Sequence, residues 1–299
     1  MSTLKTYNIN FAGKFPIAIG ISSLLVIASL VLFFTKGLNY GVDFRGGAEI
    51  QVKFGSPVDM GKLRSELDNN FKSSSLQSIG DQDANEFLIK VSGSEENLNK
   101  VTEDITKMLT SKFAGLNPDI QKTDIVGPKA GEELRKSGFQ ALIWALLMIM
   151  IYIALRFDYK YSPGAIVALI HDVVIIVGIF ILVDKEFSLQ IVGALLAVIG
   201  YSVNDTVVVY DRVREHEEKS VGGKLKDLIN KALNETLSRT MLTSLTTLIV
   251  SVVMFATGGG VIHDFFFAIT LGVFIGTYSS LFVAAPTILF FDKIMGAKA

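Results

Sequence analysis

The stretch VIGYSVNDTVVVYDR, residues 198–212, sets a carboxylate, Asp205, and an amide, Asn204, among residues that otherwise read as the wall of a membrane helix. On insertion scales a charge at the centre of a span costs about 2.5–3.5 kcal/mol, so a carboxylate there must face water, a cation or a hydrogen-bond partner. The chemistry open to it is exchange of a proton or a small ion. Counting inward from Asp211 and Arg212, at about 1.5 Å per residue, puts Asp205 roughly 9 Å below the membrane edge. Arg239, in NETLSRTMLTSLTT, opens the next apolar stretch near the same depth. Taken alone it reads as a positive anchor snorkelling to the interface. Taken with Asp205, it offers the cation of an ion pair that a proton would make or break. Beneath it Thr240, Thr243, Ser244, Thr246 and Thr247 offer hydroxyls for a file of water or for close helix packing. His171 and Asp172, half way along another apolar stretch, admit two readings: members of a proton relay, or satisfied interhelical hydrogen bonds.

Other chemistries find no support. His171, His216 and His263 fall in separate segments that cannot converge on one metal. There is no G-x-x-x-x-G-K-[ST] loop for ATP. Gly46 and Gly47, in GVDFRGG, read as a turn and strand entry rather than a phosphate nest. The chain has no cysteine, hence no disulfide or thiol chemistry. Tyr210-Asp211 matches half the signature of an intramembrane aspartyl protease, but no G-x-G-D occurs and Asp211 falls at the membrane surface.

These residues are positioned by membrane helices. Half of the 299 residues are hydrophobic and the mean hydropathy is +0.46, which is the composition of an integral membrane protein. A span needs about 20 mostly apolar residues, and six stretches qualify: 15–34, 139–155, 163–183, 189–210, 239–257 and 265–291. The last is long enough to demand tilting, an early exit or a bend at Pro286. RFDYKYS and the connection 211–238, with Arg212, Arg214, Lys219, Lys224, Lys226 and Lys231, are rich in positive charge. DKEFS and TGGGVIHD hold only Lys185 between them. The positive-inside rule therefore puts the basic connections in the cytoplasm, together with the tails 1–14 and 292–299, which carry Lys5, Lys14, Lys293 and Lys298. The net charge of -1 points to no nucleic acid.

Residues 35–138 are then an exported segment with periodicities of its own. AEIQVKF (48–54) alternates as a half-buried strand; Leu63, Leu67 and Phe71 recur at helical spacing; LQSI and EFLIKV (86–91) read as strands. Ser94 opens a second helix whose inner face is Leu98, Val101, Ile105, Met108 or Leu109, and Phe113, and a last strand runs from Asp119 to Val126. The order βαββαβ predicts a ferredoxin-like α+β domain in the first loop of a six-helix α-helical membrane protein.

The blocks GVDFRGG, RFDYKYSPGAIVALIHD, GYSVNDTVVVYDRVRE, NETLSRT and GVFIGTYSSLFVAAP occur in this order along nearly the whole chain. Together they resemble the SecF family of protein-translocase subunits, in the resistance-nodulation-division superfamily. The resemblance implies half of a transporter fold rather than an enzyme. It also implies pairing with SecD, docking on the SecYEG channel, and use of the proton motive force to draw polypeptides outward after the ATP-driven motor SecA has pushed them through. The implied location is the bacterial inner membrane. The resemblance implies no cofactor beyond the coupling ion, a proton with sodium as the alternative, and it places the coupling pair at Asp205 and Arg239. Arg45 falls at a position that varies in the family. The rival reading is a proton-coupled drug or lipid exporter half-subunit of the same superfamily, although such exporters usually carry twelve spans and two exported loops.

This topology predicts that a single cysteine at Ser74, in a chain with none of its own, reacts with an impermeant reagent from the exported side. Reaction from the cytoplasmic side alone would overturn the orientation.

Overall fold

Within hydrocarbon every backbone N–H and C=O must be paired inside its own segment. The apolar stretches meet that demand as helices in the computed structural model, which describes residues 7–71, 74–79, 85–91, 98–157, 160–220 and 223–296. In chain order the elements are α1 (Phe15–Thr35), α2 (Val42–Arg45), β1 (Gly47–Phe54), α3 (Met60–Asn70), β2 (Ser74–Ile79), β3 (Glu86–Val91), α4 (Leu98–Lys112) and β4 (Pro118–Val126). After them come α5 (Pro128–Arg156), α6 (Ser162–Leu182), α7 (Leu189–Lys219), α8 (Leu225–Thr257), α9 (Gly260–Ser279) and α10 (Ala285–Gly296). Prolines in the first turn, where the missing N–H costs nothing, start α1, α5 and α6.

Among the described residues six helical runs are long and apolar enough to span a membrane: α1, α5, α6, α7, α8, and α9 with α10 as one run from Ile262 to Lys293. In α6 and α7, 56% and 50% of the apolar window is buried, against 17% in each of α1, α5 and α8. The first two, with α9, are therefore the inner layer, and α1, α5 and α8 are its lipid-facing cover. Ile17, Leu24 and Phe34 on α1 and Leu242 and Val250 on α8 are accordingly exposed.

Three helices outrun the spans read from apolarity. The second begins at Pro128 rather than residue 139, the fourth ends at Lys219 rather than 210, and the fifth begins at Leu225 rather than 239. The supposed 211–238 connection is thus mostly helix. Its polar turns are held by pairs three and four residues apart, Arg212–Glu215 and Lys219–Glu215, and by an apolar stripe of Ile229, Ala232, Leu233 and Leu237. The last span is broken as Pro286 requires, since proline has no N–H to return to Phe282. A single π turn, Ser280–Ala284, absorbs the mismatch, and the Tyr210 hydroxyl donates to the Ala284 carbonyl at 3.3 Å.

The segment between α1 and α5 is a four-stranded antiparallel sheet of order β2-β3-β1-β4, the ferredoxin-like arrangement. Alternation buries Ile50, Val52 and Phe54 with Phe87, Ile89 and Val91 against Leu63, Leu67, Ile105 and Leu109 of the two helices. Asp59 caps α3, accepting from the N–H groups of Gly61 and Lys62 at 2.9 and 3.3 Å. Two details differ from the sequence reading. Val101 is only half buried at the edge of the core, with Thr102 turned inward beside the expected Ile105, because α4 is rotated slightly about its axis. Leu88 of EFLIKV, expected from the sequence in the same core as Ile50 and Val52, is buried instead on the opposite face of the sheet, beside Glu49, Gln51 and the turn at Gly259 and Gly260. The expected helix start at Ser94 lies outside the described residues, as do Lys5 and Lys298.

The sheet domain rests on the 183–188 and 258–260 connections, while Asn234 and Asn230 at the other end of the bundle bind the N-terminal segment. The Asn234 side chain accepts from Ile9 N at 2.7 Å and donates to Ile9 O at 2.9 Å, and Asn230 accepts from Ala12 N at 3.0 Å.

An isolated fragment spanning residues 39–126 is predicted to melt cooperatively with mixed α/β circular dichroism. Ile105→Asp, placing an unpaired charge in its core, should remove more than about 4 kcal/mol and leave no transition. Val101→Asp, at a half-buried position, should lower the melting temperature without abolishing it.

Candidate coupling site between the membrane helices

The approach of α7 to α9 sets the geometry. A methyl added at Gly272 would lie 2.1 Å from Val198 Cγ2, and one at Gly276 would lie 3.0 Å from Ser202 Cβ. Two glycines four residues apart thus let α9 lie directly against α7, the small-residue packing of membrane helices. This contact places Ser202 of α7 and Ser279 of α9 at one carboxylate, Asp172 of α6. Asp172 Oδ2 accepts from Ser202 Oγ at 2.6 Å and from Ser279 Oγ at 2.8 Å, while Oδ1 meets His171 Nδ1 at 2.9 Å. Asp172 is 1% exposed and His171 5%. Three inner helices therefore meet at one satisfied carboxylate, immediately before the π turn. His171 stacks on Tyr278 at 6.2 Å, whose hydroxyl donates to Ala18 O at 2.9 Å and pairs with Ser22 Oγ at 3.0 Å on α1. His171 Nε2 is buried without a partner.

Asp205 lies one turn further along α7 and is in a different condition. It is 2% exposed, yet its hydrogen bonding is thin: Thr243 Oγ1 lies a long 3.5 Å from Oδ1, Ser244 is the other hydroxyl near it, and Oδ2 has no partner at hydrogen-bond distance. The Thr243 hydroxyl is shared, lying 3.1 Å from Arg239 O and 3.0 Å from Thr240 O. Buried polar atoms are almost always paired, and an exception calls for a reason. Arg239, one turn before Thr243 on α8, is exposed, and no ion pair within 4.0 Å joins it to Asp205 among the described residues. The pair read from the sequence is thus not in contact here, although Arg239 lies one turn from Thr243 on α8 and near enough to act electrostatically on Asp205. Asn204 is exposed on the outer face of α7.

The hydroxyl-rich turn divides in two. Thr246 and Thr247 return to their own helix carbonyls at 2.9 and 3.0 Å, whereas Ser244 meets Thr277 Oγ1 at 2.6 Å and Tyr201 OH at 3.2 Å. Thr240 Oγ1 is buried and unpaired next to them. Sequence reasoning missed Ser202 and Ser279, although Ser202 precedes Asp205 by three residues and so shares its helix face.

GVDFRGG holds the other end of α7. Val42 and Phe44 are buried, and Asp43 Oδ2 accepts from Leu189 N at 3.1 Å, capping the N-terminus of the helix that carries Asp205. Gly46 has φ +80°, and a Cβ there would lie 2.6 Å from Pro128 Cα; one on Gly47 would lie 2.3 Å from Val91 O. The pair is a turn and strand entry pressed against the start of α5, where no side chain fits. Among the described residues no three His, Asp or Glu side chains converge as metal ligands.

Two family models match this arrangement, one described as "Protein export membrane protein SecD/SecF, C-terminal" over residues 105–294 and one as "SecD/SecF GG Motif" over residues 31–58. The chain belongs to the SecD/SecF family. It is 41% identical over 285 residues to a protein translocase subunit SecF of Calditerrivibrio nitroreducens, covering 93% of this chain and 92% of the relative. To the SecF of Thermodesulfovibrio yellowstonii it is 41% identical over 292 residues, covering 96% and 95%. A crystal structure of SecDF, "a translocon-associated membrane protein" from Thermus, matches with TM-score 0.84 and 33% identity over 96% of this chain. The match spans 39% of that longer chain. The SecD/SecF assignment makes this a membrane protein of protein transport, and the family's GG signature falls on the Gly46–Gly47 turn.

The two carboxylates should respond oppositely to removal. Asp172→Leu strands Ser202 and His171, while Ser279 keeps the Gly276 carbonyl at 3.1 Å, costing about 1–3 kcal/mol for each buried group left unpaired. Asp205→Leu removes an almost unpartnered carboxyl and should leave stability unchanged or raised. Thermal unfolding of the detergent-purified chain checks both.

Proposed function

We propose that this chain, in complex with SecD, couples proton movement across the bacterial inner membrane to outward transfer of polypeptides through the SecYEG channel. The observation that carries the reading is the under-partnered, buried carboxyl of Asp205, set on α7 one turn beyond Ser202, which is bound to a carboxyl, Asp172 of α6, whose two oxygens are both satisfied. A structural carboxyl should resemble Asp172. One that exchanges a proton must instead be able to gain and lose a partner, and Arg239 is within a helical turn of the threonine Asp205 now touches. In the cycle, Asp205 is ionised and paired with Arg239 in one state; in the other it is protonated and rests against Thr243. Asp172, with Ser202 and Ser279, keeps α6, α7 and α9 in register, and His171 is the candidate relay to it. One proton falling through 100 mV supplies about 2.3 kcal/mol, enough to bias such an equilibrium though not to invert it fully.

Pairing with SecD is supported by the outer face of α7. Gly193, Ala197, Gly200 and Asn204 are all exposed there, and an amide facing hydrocarbon is costly unless another helix meets it. The SecDF chain that matches at 33% identity has more than half its length outside the match, room for such a partner. The basic ends of α7 and α8 and both termini face the cytoplasm, and the sheet domain faces the exported side.

Asp205→Asn keeps size and hydrogen bonding but removes titration. In membranes holding equal amounts of variant and wild type, with SecD present, it should abolish the gradient-dependent part of secretion, and Arg239→Met should do the same. Full retention of that stimulation by Asp205→Asn would end the proposal. Replacing the proton gradient with a sodium gradient distinguishes the coupling ion.

A further inference from the structure

The 183–188 connection joins α6, which carries Asp172, to α7, which carries Asp205. The same short loop bears the sheet domain. Phe187 N donates to Asn39 O at 2.7 Å and Gly41 N donates to Phe187 O at 3.0 Å, so Tyr40 and Phe187 form an isolated parallel bridge. Beside it, Glu186 accepts a hydrogen bond from the ammonium of Lys90 on β3, and Lys90 also meets Glu49 on β1 at 3.2 Å. Lys185 on the same loop is paired with Asp264 of α9 and lies over the ring of Phe267 at 5.1 Å. Adjacent residues of one loop thus hold the sheet domain on one side and the inner helix α9 on the other.

The Lys90 side chain is 11% exposed and those of Glu49 and Glu186 are 19% and 20% exposed. A lone ion pair in open solvent would contribute little; this cluster is sheltered, and removal of Lys90 would leave two carboxylates side by side without their shared cation, while removal of Glu186 would cut the link to the loop and leave Lys90 on Glu49 alone. Burial acts to lower the Lys90 pKa, but the carboxylates of Glu186 and Glu49 outweigh it and hold it above the ordinary lysine value. Burial lifts Glu49 above the ordinary carboxylate value, with Lys90 opposing. The entry to the domain also meets the bundle, through the Asp43 cap on Leu189 N and the Phe44 ring against Phe187, but these lie before β1; the contacts of the sheet itself, apart from the Lys90 cluster, are of another kind. The glycine turn abuts α5, to which β4 is already joined covalently, and Ile79 touches the turn at Gly260 through apolar atoms that can slide.

We propose that Glu186, Lys90 and Glu49 are positioning residues that transmit movement of α6 and α7 to the exported sheet domain, the loop acting as the drive point. The inference rests on the proton-coupled reading for its consequence in secretion, but the docking it describes exists with or without a gradient. The test uses the full chain with SecD in lipid nanodiscs and in inverted membranes. Spin labels on cysteines at Ser75 of β2 and Thr257 of α8, both exposed, report the position of the domain. Glu186→Lys, or Glu186→Gln where the former does not accumulate, should broaden the distance distribution and shift it to longer values. It should also lose gradient-dependent secretion while proton uptake through Asp205 persists. Reversing the whole triad, Glu49→Lys with Lys90→Glu and Glu186→Lys, should restore both the narrow distribution and secretion, which a merely misfolded variant could not do. An unchanged distance in Glu186→Lys, or a shifted distance with full secretion, overturns the proposal. Full gradient-dependent secretion in Asp205→Asn, with the Glu186 variants shifting the distance as stated, would instead indict the coupling reading alone.

Discussion

One carboxylate organises the membrane half of this protein. In hydrocarbon a buried charge or dipole has no water to fall back on, so it either gathers partners or destabilises the fold. Asp172 gathers three, from its own helix α6, from α7 and from α9. The partners reach it because Gly272 and Gly276 remove the side chains that would otherwise hold α9 away from α7. The π turn that follows Ser279 is the relief that Pro286 forces on the same helix. Close approach, polar node and helix defect are therefore three consequences of fitting polar groups into a dry interior.

That rigid node gives meaning to its neighbour. Asp205 lies on the same face of α7 as Ser202 but makes no hydrogen bond to the node, and its neighbours are a threonine already committed to its own helix and Ser244. A fold that fills every acceptor of one carboxyl and leaves an oxygen of the next unpaired has placed the second where a partner can come and go. Under the proposed function, that asymmetry is what separates a structural carboxyl from a coupling one. The energy available per proton, about 2.3 kcal/mol at 100 mV, is comparable to a few hydrogen bonds, so small rearrangements around Thr243 and Arg239 are the scale on which the device would work.

The link to the globular domain is built from the same economy. GVDFRGG places an aspartate on the first N–H of α7, a phenylalanine, Phe44, in the core of the inner helices, and two glycines where Pro128 and Val91 leave no room for a Cβ. A reading of the glycines as a turn was available from sequence, but the cap on α7 was not, because Asp43 and Leu189 are separated by an entire folded domain.

The sequence by itself determined the elements. Apolar runs long enough for a bilayer, strict alternation in AEIQVKF, and helical spacing of Leu63 and Leu67 are local signals, and the membrane amplifies them because backbone polar groups must be satisfied within each segment. Asp205, Asp172, His171 and Arg239 stood out for the same reason: ionisable groups are expensive among apolar neighbours. Tertiary structure decided the pairings. The polar extensions of α5, α7 and α8 escaped a search for apolarity, since their helices are held by side-chain pairs and by packing outside the apolar runs. Which carboxylate would be satisfied, that Thr243 rather than Arg239 would touch Asp205, and that Lys90 would lie between Glu49 and Glu186 all depend on how helices and sheet rotate about their axes. Those rotations are set by the summed packing of residues far apart in the chain, as at Gly272 against Val198, and no local pattern encodes them.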